Sequence, residues 1–176
     1  MTLLATAVVL LAVVVALHLL FTFGLVARVR ELQQHGGGTP ARDPDLPRPG
    51  AVVRPFSVTD TDGGTITEDD LSGPVHVGFF SIGCLPCRTL SDALVADPPA
   101  VRFLSIVVGA PADEATGRMV TKVGALGRVA VIDVDDPAPS AFGVNSFPTL
   151  VHTHGGVVTA SGSRLSHFTD VPTPVA

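Results

Sequence analysis

An α/β domain carried behind an apolar N-terminal segment is the fold class this sequence predicts, on three observations. The first 27 residues contain no Asp, Glu, Lys or Arg. Beyond a Gly- and Pro-rich stretch, short apolar runs alternate with helical patterns, with turn residues between them. A Cys-x-x-Cys pair, Cys84-Leu85-Pro86-Cys87, stands directly behind one of those runs and opens a helical pattern.

Met1 to Ala27 is dominated by Leu, Val, Ala and Phe. A helix rising about 1.5 Å per residue crosses, over this length, a hydrocarbon core about 30 Å thick. Residues 1–30 therefore read as a single transmembrane anchor, meeting the lipid bilayer through residues 1–27. A buried core helix rarely runs so far without a charge. Leu25-Val26-Ala27 loosely imitates a signal-peptide cleavage site. However, no Lys or Arg precedes the run, which exceeds the roughly 7–15 residues of a signal h-region. Residues 31–50, with three consecutive glycines and four prolines, lack any helical or strand period and read as a tether. One domain follows over 51–165, and 166–176, ending VPTPVA, reads as a disordered tail. Residues 31–176 carry 9 Lys+Arg against 16 Asp+Glu, a formal charge of −7 without a basic cluster, which argues against nucleic acid as a partner.

Within the domain, Phe56 to Thr59 alternates as a strand, and Asp60-Thr61-Asp62-Gly63-Gly64 turns it toward a return strand at Thr65 to Thr67. Pro74 to Phe80 is mostly apolar with β-branched and aromatic residues, the composition of a strand buried on both faces. A helix is expected over Cys87 to Val95, ended by Asp97-Pro98-Pro99. Val101 to Val108 repeats the buried-strand signature, Asp113 to Leu126 reads as a glycine-weakened helix, and Val129 to Val134 as another strand, implying parallel crossovers. Pro137 to Phe142 is a short helical turn, after which Phe147 to Thr153, Gly155-Gly156 and Val157 to Ala160 read as strand, turn and strand.

The position of the Cys pair at a strand-to-helix junction carries the chemistry. Free N–H groups and the helix dipole favour a thiolate at the first cysteine, lowering its pKa below the reference of about 8.5. Cys84 is thus the expected nucleophile and Cys87, one turn on, the resolving thiol. Pro86 suits an early helical position, where an N–H has no acceptor. A structural zinc site would need two more ligands, and no third cysteine exists. His152 and His154, two apart on one face of a predicted strand, are the candidates, although they fit a polar sheet face better. His76, inside an apolar strand, reads as a core histidine with its bonds satisfied.

The runs FFSIGCLPCR and, about sixty positions later, GVNSFPTLV resemble the thioredoxin superfamily. The opening PFSVTDTDGGTITEDDLSGPVHVGFF resembles its membrane-anchored redoxin branch, often called TlpA-like, which includes reductases of cytochrome c maturation and accessory proteins of methylamine dehydrogenase assembly. The resemblance covers Arg54 to Ser161. It implies a thioredoxin-like central mixed sheet flanked by helices, and a cis-proline at Pro148 beside the cysteines. It also implies that the Phe147 backbone offers strand-like hydrogen bonds to a bound substrate. Three positions depart from the family: Gly83 where Trp is common, Gly78 where many members bury an Asp, and Leu85-Pro86 in place of Gly-Pro.

The expected function is a membrane-anchored thiol-disulfide oxidoreductase that needs no cofactor. It exchanges disulfides with a protein substrate and is reset by an upstream redox partner. One alternative is a Cu(I)-carrying chaperone presenting both cysteines with a histidine. An assembly factor whose thiols serve docking is another. A peroxiredoxin-type peroxidase fits less well, since its P-x-x-x-[ST]-x-x-C pattern finds Ser81 but Val77 in place of Pro. Arg28 and Arg30 after the apolar run place the domain in the cytoplasm by the positive-inside rule. The resemblance places it outside, and the exterior is the side this reading favours.

Overall fold

The computed structural model describes residues 44–165 and, ahead of them, helical positions between Thr6 and Gly24. Most of the predicted anchor, the tether as far as residue 43, and the tail 166–176 lie outside the described residues. Among those described, no helix is long and apolar enough to cross a membrane. In the N-terminal helical segment the polar side chains turn back on their own backbone. The Thr22 hydroxyl donates to the His18 carbonyl at 2.8 Å, and His18 Nδ1 lies 3.0 Å from the Val14 carbonyl.

The domain contains β1 (Ser57–Thr59), β2 (Thr65–Thr67), a 3-10 turn (Glu68–Leu71), β3 (Pro74–Ser81) and α1 (Leu85–Ala96). There follow β4 (Arg102–Val108), α2 (Glu114–Val123), β5 (Gly127–Ile132), α3 (Ala138–Phe142), β6 (Thr149–His154) and β7 (Val157–Gly162). Strands β1 and β2 form an antiparallel ribbon, and the other five form a mixed sheet in the order β5-β4-β3-β6-β7. The β3–β4 and β4–β5 pairs are parallel, β3–β6 and β6–β7 antiparallel. Every element expected after residue 56 is present within a few residues of its expected limits. β5 differs most, because Val134 leaves the sheet and is exposed, while Gly127 opens the strand with its Cα beside the Phe103 carbonyl.

β3 shows why the apolar run is continuous. Val75, Val77 and Phe79 pack into a layer with Phe56, Val58 and Ile66 of the ribbon region, Leu71, and Phe142 of α3. Phe80 turns to the opposite layer, where Leu90 and Leu94 of α1 and Met119 and Val123 of α2 meet Phe103, Val107, Val129 and Leu150. With both sheet faces covered, period-two alternation gives way to unbroken hydrophobicity. The Phe142 ring centroid lies 5.0 Å from that of Phe56 and 5.1 Å from that of Phe79, joining α3, ribbon and sheet in one aromatic cluster.

Both edge strands carry backbone partners. Along β7, Gly50 N–H donates to the Val158 carbonyl, Val53 N–H to Gly156 and Val158 N–H back to Ala51. The contacts reach further toward the N-terminus through the Ser161 hydroxyl, which donates to the Pro47 carbonyl at 2.6 Å. On β5, Thr61 N–H donates to the Val129 carbonyl, and Asp60 bridges Ala130. Arg128 fastens the same corner: its Nε donates to Asp60 Oδ2 at 2.8 Å, Nη1 to Asp70 Oδ1 at 3.1 Å and Nη2 to the Thr65 carbonyl at 2.8 Å.

Candidate active site

β3 delivers the chain to its C-terminal end at Ser81, and Gly83, at φ 75°, reverses it into α1. That left-handed backbone is strained for a side chain, whatever space surrounds it, which gives a local reason for the missing Trp. Cys84 is the N-cap of α1 in extended geometry, and its sulfur accepts the Cys87 N–H at 3.1 Å. Leu85 and Pro86 fill the first two helical positions, and Leu85, 64 % exposed, projects into solvent beside Cys84. Cys87 is fully buried in the α1–α2 layer, whereas Cys84 is only partly buried.

The two cysteines form a disulfide with a Cα–Cα distance of 5.2 Å. Its outer sulfur lies 3.8 Å from the Phe147 carbonyl oxygen, and the Phe147–Pro148 peptide is cis. The end of β3 and the start of β6, antiparallel neighbours, thus bring together Cys84, Cys87, Phe147 and Pro148, the four residues singled out from the sequence. Ile82 and Phe147 pack at the margin of the same apolar layer. Ser81, which the sequence reading places only in the peroxidase pattern and gives no part in the disulfide chemistry, donates its backbone N–H to Cys87 Sγ at 3.5 Å. No side-chain pattern signals a backbone donor, so only the fold reveals it.

At Gly78 a Cβ would stand 2.7 Å from Phe80 Cε2 and 2.9 Å from Phe103 Cζ. The space that a buried carboxylate would need on this face of β3 is occupied by aromatic rings. Among the described residues, the Ser81 amide is the one group hydrogen-bonded to the inner sulfur.

The histidines lie elsewhere. His76 and His152 are cross-strand partners toward the opposite end of β3, five residues before Ser81 and so about 17 Å along the strand. The Cys2His2 set, and a copper site sharing a histidine with the cysteines, are therefore not assembled. His152 is also more deeply placed than a polar sheet face implies, at 6 % exposure. Burial, then the neighbouring His152, pushes His76 down to about 4, and burial with His154 lowers His152.

No family model matches the sequence, and no curated protein does. Solved structures do match. The thioredoxin domain of a thiol-disulfide oxidoreductase from Bacteroides vulgatus superposes with a TM-score of 0.56 at 16 % identity, over 68 % of this chain and 91 % of that one. A DsbF homologue from Corynebacterium diphtheriae gives 0.56 at 17 % identity, over 75 % and 91 %. A thio-disulfide isomerase from Thermus thermophilus gives 0.53 at 23 % identity, over 65 % and 85 %.

Proposed function

Taking as premise that this chain has the thioredoxin fold, we propose that it is a thiol-disulfide oxidoreductase acting on a protein partner through Cys84 and Cys87. The observation that carries this reading is the Cys84–Cys87 disulfide, its outer sulfur at a helix N-terminus facing the Phe147 carbonyl and cis-Pro148.

In the reductive direction, the Cys84 thiolate attacks one sulfur of the partner's disulfide, forming a mixed disulfide and expelling the partner's other sulfur as thiolate. Cys87, as thiolate, then attacks Cys84 Sγ, closing the intramolecular disulfide and releasing the second partner sulfur. Two electrons pass to the partner, and an upstream dithiol must return two to reopen the pair. The backbone N–H groups of Cys87 and Ser81, donating to the outer and inner sulfur respectively, favour negative charge on each. Phe147 supplies a backbone edge for the partner segment, and the exposed Leu85 an apolar contact beside the reacting sulfur.

The proposal extends to an anchor at residues 1–30 and a domain outside the cytoplasm. The uncharged stretch Met1 to Ala27 supports the first. The second rests on the resemblance, against the small bias of Arg28 and Arg30. Reduced protein is expected to reduce insulin disulfides, and loss of both cysteines to abolish the activity. A membrane-impermeant maleimide applied to intact, pre-reduced cells reports the side, because Cys84 and Cys87 are the only thiols. Labelling before lysis supports the exterior, and protection until lysis overturns it.

A further inference from the structure

We propose that the active-site end of the sheet carries a docking strip for a cationic partner segment. Leu85, Pro111 and Val134 pack an extended chain that has an apolar residue beside its cysteine, and Asp133 and Asp135 pair with a Lys or Arg a few residues along it. The inference rests on the redox reading above and names the chemistry of the partner which that reading requires.

Three large apolar side chains of the described domain are mainly exposed: Val52, Leu85 and Val134. Val52 lies on the segment beside β7, bridged to Val157. The other two share the end of the sheet that holds the disulfide. Strands β3, β4 and β5 run parallel, so their C-terminal ends open on one side. Two backbone hydrogen bonds hold those ends level: Ile82 N–H donates to the Val108 carbonyl at 3.2 Å, and Gly109 N–H to the Ile132 carbonyl at 3.0 Å. Leu85 follows Ile82 by three residues, and Val134 follows Ile132 by two. Between them Gly109 packs against the Ile82 side chain, so closely that a Cβ there would stand 3.1 Å from Ile82 Cγ2. Ala110, Pro111 and Ala112 come next, all exposed. Single exposed apolar residues are ordinary on a protein surface, but these are joined along one rim beside the reacting sulfur. Neighbouring strands lie about 4.8 Å apart, which puts the β5 end about 10 Å from the β3 end. Three or four residues of extended chain, at about 3.3 Å each, cover that span.

Charge selects the occupant. Val134, 80 % exposed, stands between Asp133 and Asp135, both exposed, and among the described residues neither carboxylate is paired with a cation. Neighbouring carboxylates are engaged: Asp136 accepts the Ala138 N–H, Asp113 accepts the Ala115 N–H, and Glu114 pairs with Arg118. Arg88 is exposed near the start of α1 and Arg164 follows β7, whereas residues 109–113 and 133–137 contain no Lys or Arg. The partner's cations are therefore drawn to the β5 side. A second copy of this chain would bring the same two aspartates, and an anionic lipid surface more negative charge, so both are repelled and a basic segment is the fitting occupant.

The test uses the reduced full chain in an uncharged detergent, with short peptides whose single cysteine is carried as a mixed disulfide with a coloured aromatic thiol. Release of that thiol gives the rate, divided for each peptide by its rate with a small dithiol. The peptides share a Leu beside the cysteine and carry Lys or Glu three and four residues away on both sides. At low salt the Lys peptide is expected to react about tenfold or more faster than the Glu peptide, the ratio falling toward one in about 0.5 M salt. Asp133→Asn with Asp135→Asn should remove most of the ratio, and Leu85→Ser or Val134→Ser should slow the Lys peptide about threefold or more. Asp69→Asn, at an exposed position ahead of β3, should keep the full ratio. Equal rates for the two peptides, an unchanged ratio in the double aspartate variant, or the same loss in Asp69→Asn overturns the strip, while reduction of insulin by the same protein still upholds the redox reading. Failure both to release the coloured thiol and to reduce insulin removes the two together.

Discussion

In the proposed exchange, exposure divides the work of the two cysteines: a partner could reach the partly buried Cys84, whereas Cys87 has no exposed surface. Cys87→Ser is therefore expected to accumulate mixed disulfides with its partner and Cys84→Ser to accumulate none, read on non-reducing gels. Equal trapping would reverse the assignment. The order of these residues was legible because a buried strand running into Cys-x-x-Cys is a local pattern. Gly78 was visible only as a departure, and its reason is tertiary: the Phe80 and Phe103 rings fill the space a side chain needs. Gly78→Ala should destabilise the domain by about 1–3 kcal/mol through overpacking, measured by urea unfolding. A neutral result would show that the rings yield easily.

Among the elements, the strands and helices followed from periodicity, whereas the ties between them did not. Arg128 sits in β5 yet binds Asp60 and Asp70, fifty-eight or more positions earlier, and no local pattern connects them. The Arg128 hydrogen bond, chief among its causes, lowers the Asp60 pKa from 3.8, against a smaller opposing effect of burial. The folded state thus holds the proton less well than the unfolded chain. Its stabilising contribution is present above pH 3.8 and is lost as pH falls through the lower folded value. Asp60→Asn should lower stability at neutral pH, with the difference from wild type shrinking in strong acid. A constant difference across that range would remove the ion pair as the cause.

The β3–β6 pairing makes a contrasting pH prediction. His76 titrates at about 4 when folded against 6.5 when unfolded, so the neutral ring is the favoured one. Its contribution is complete above pH 6.5 and drains away between 6.5 and about 4. Allowing for solvent screening of this half-buried ring, the loss is about 1–2 kcal/mol. His76→Leu, compared with wild type by urea unfolding, should make the stability curve shallower across that window, with His152, whose pKa burial also lowers, supplying the remaining slope. An unaltered slope would mean that His76 is not the titrating group.

For the whole molecule, two aspects of the architecture differ in how far the sequence discloses them. The β-α-β alternation and the closing hairpin imply a mixed sheet with helices, because each connection is long enough only for the neighbour it reaches. The path of residues 44–53 was not legible, since a Pro-rich segment without a period gives no sign that it pairs with a strand a hundred positions away. Yet Gly50, Ala51 and Val53 exchange backbone hydrogen bonds with β7. A chain shortened to begin at Pro55 would keep every cysteine and every core strand, but it would bare the outer rim of β7. An unpaired rim is a template for a second molecule, so the shortened protein should self-associate as its concentration rises, whereas one beginning at Pro44 should stay monodisperse in light scattering. Equal behaviour of the two would show that this short segment does not protect the rim; otherwise it acts as a built-in guard against fibril-like polymerisation.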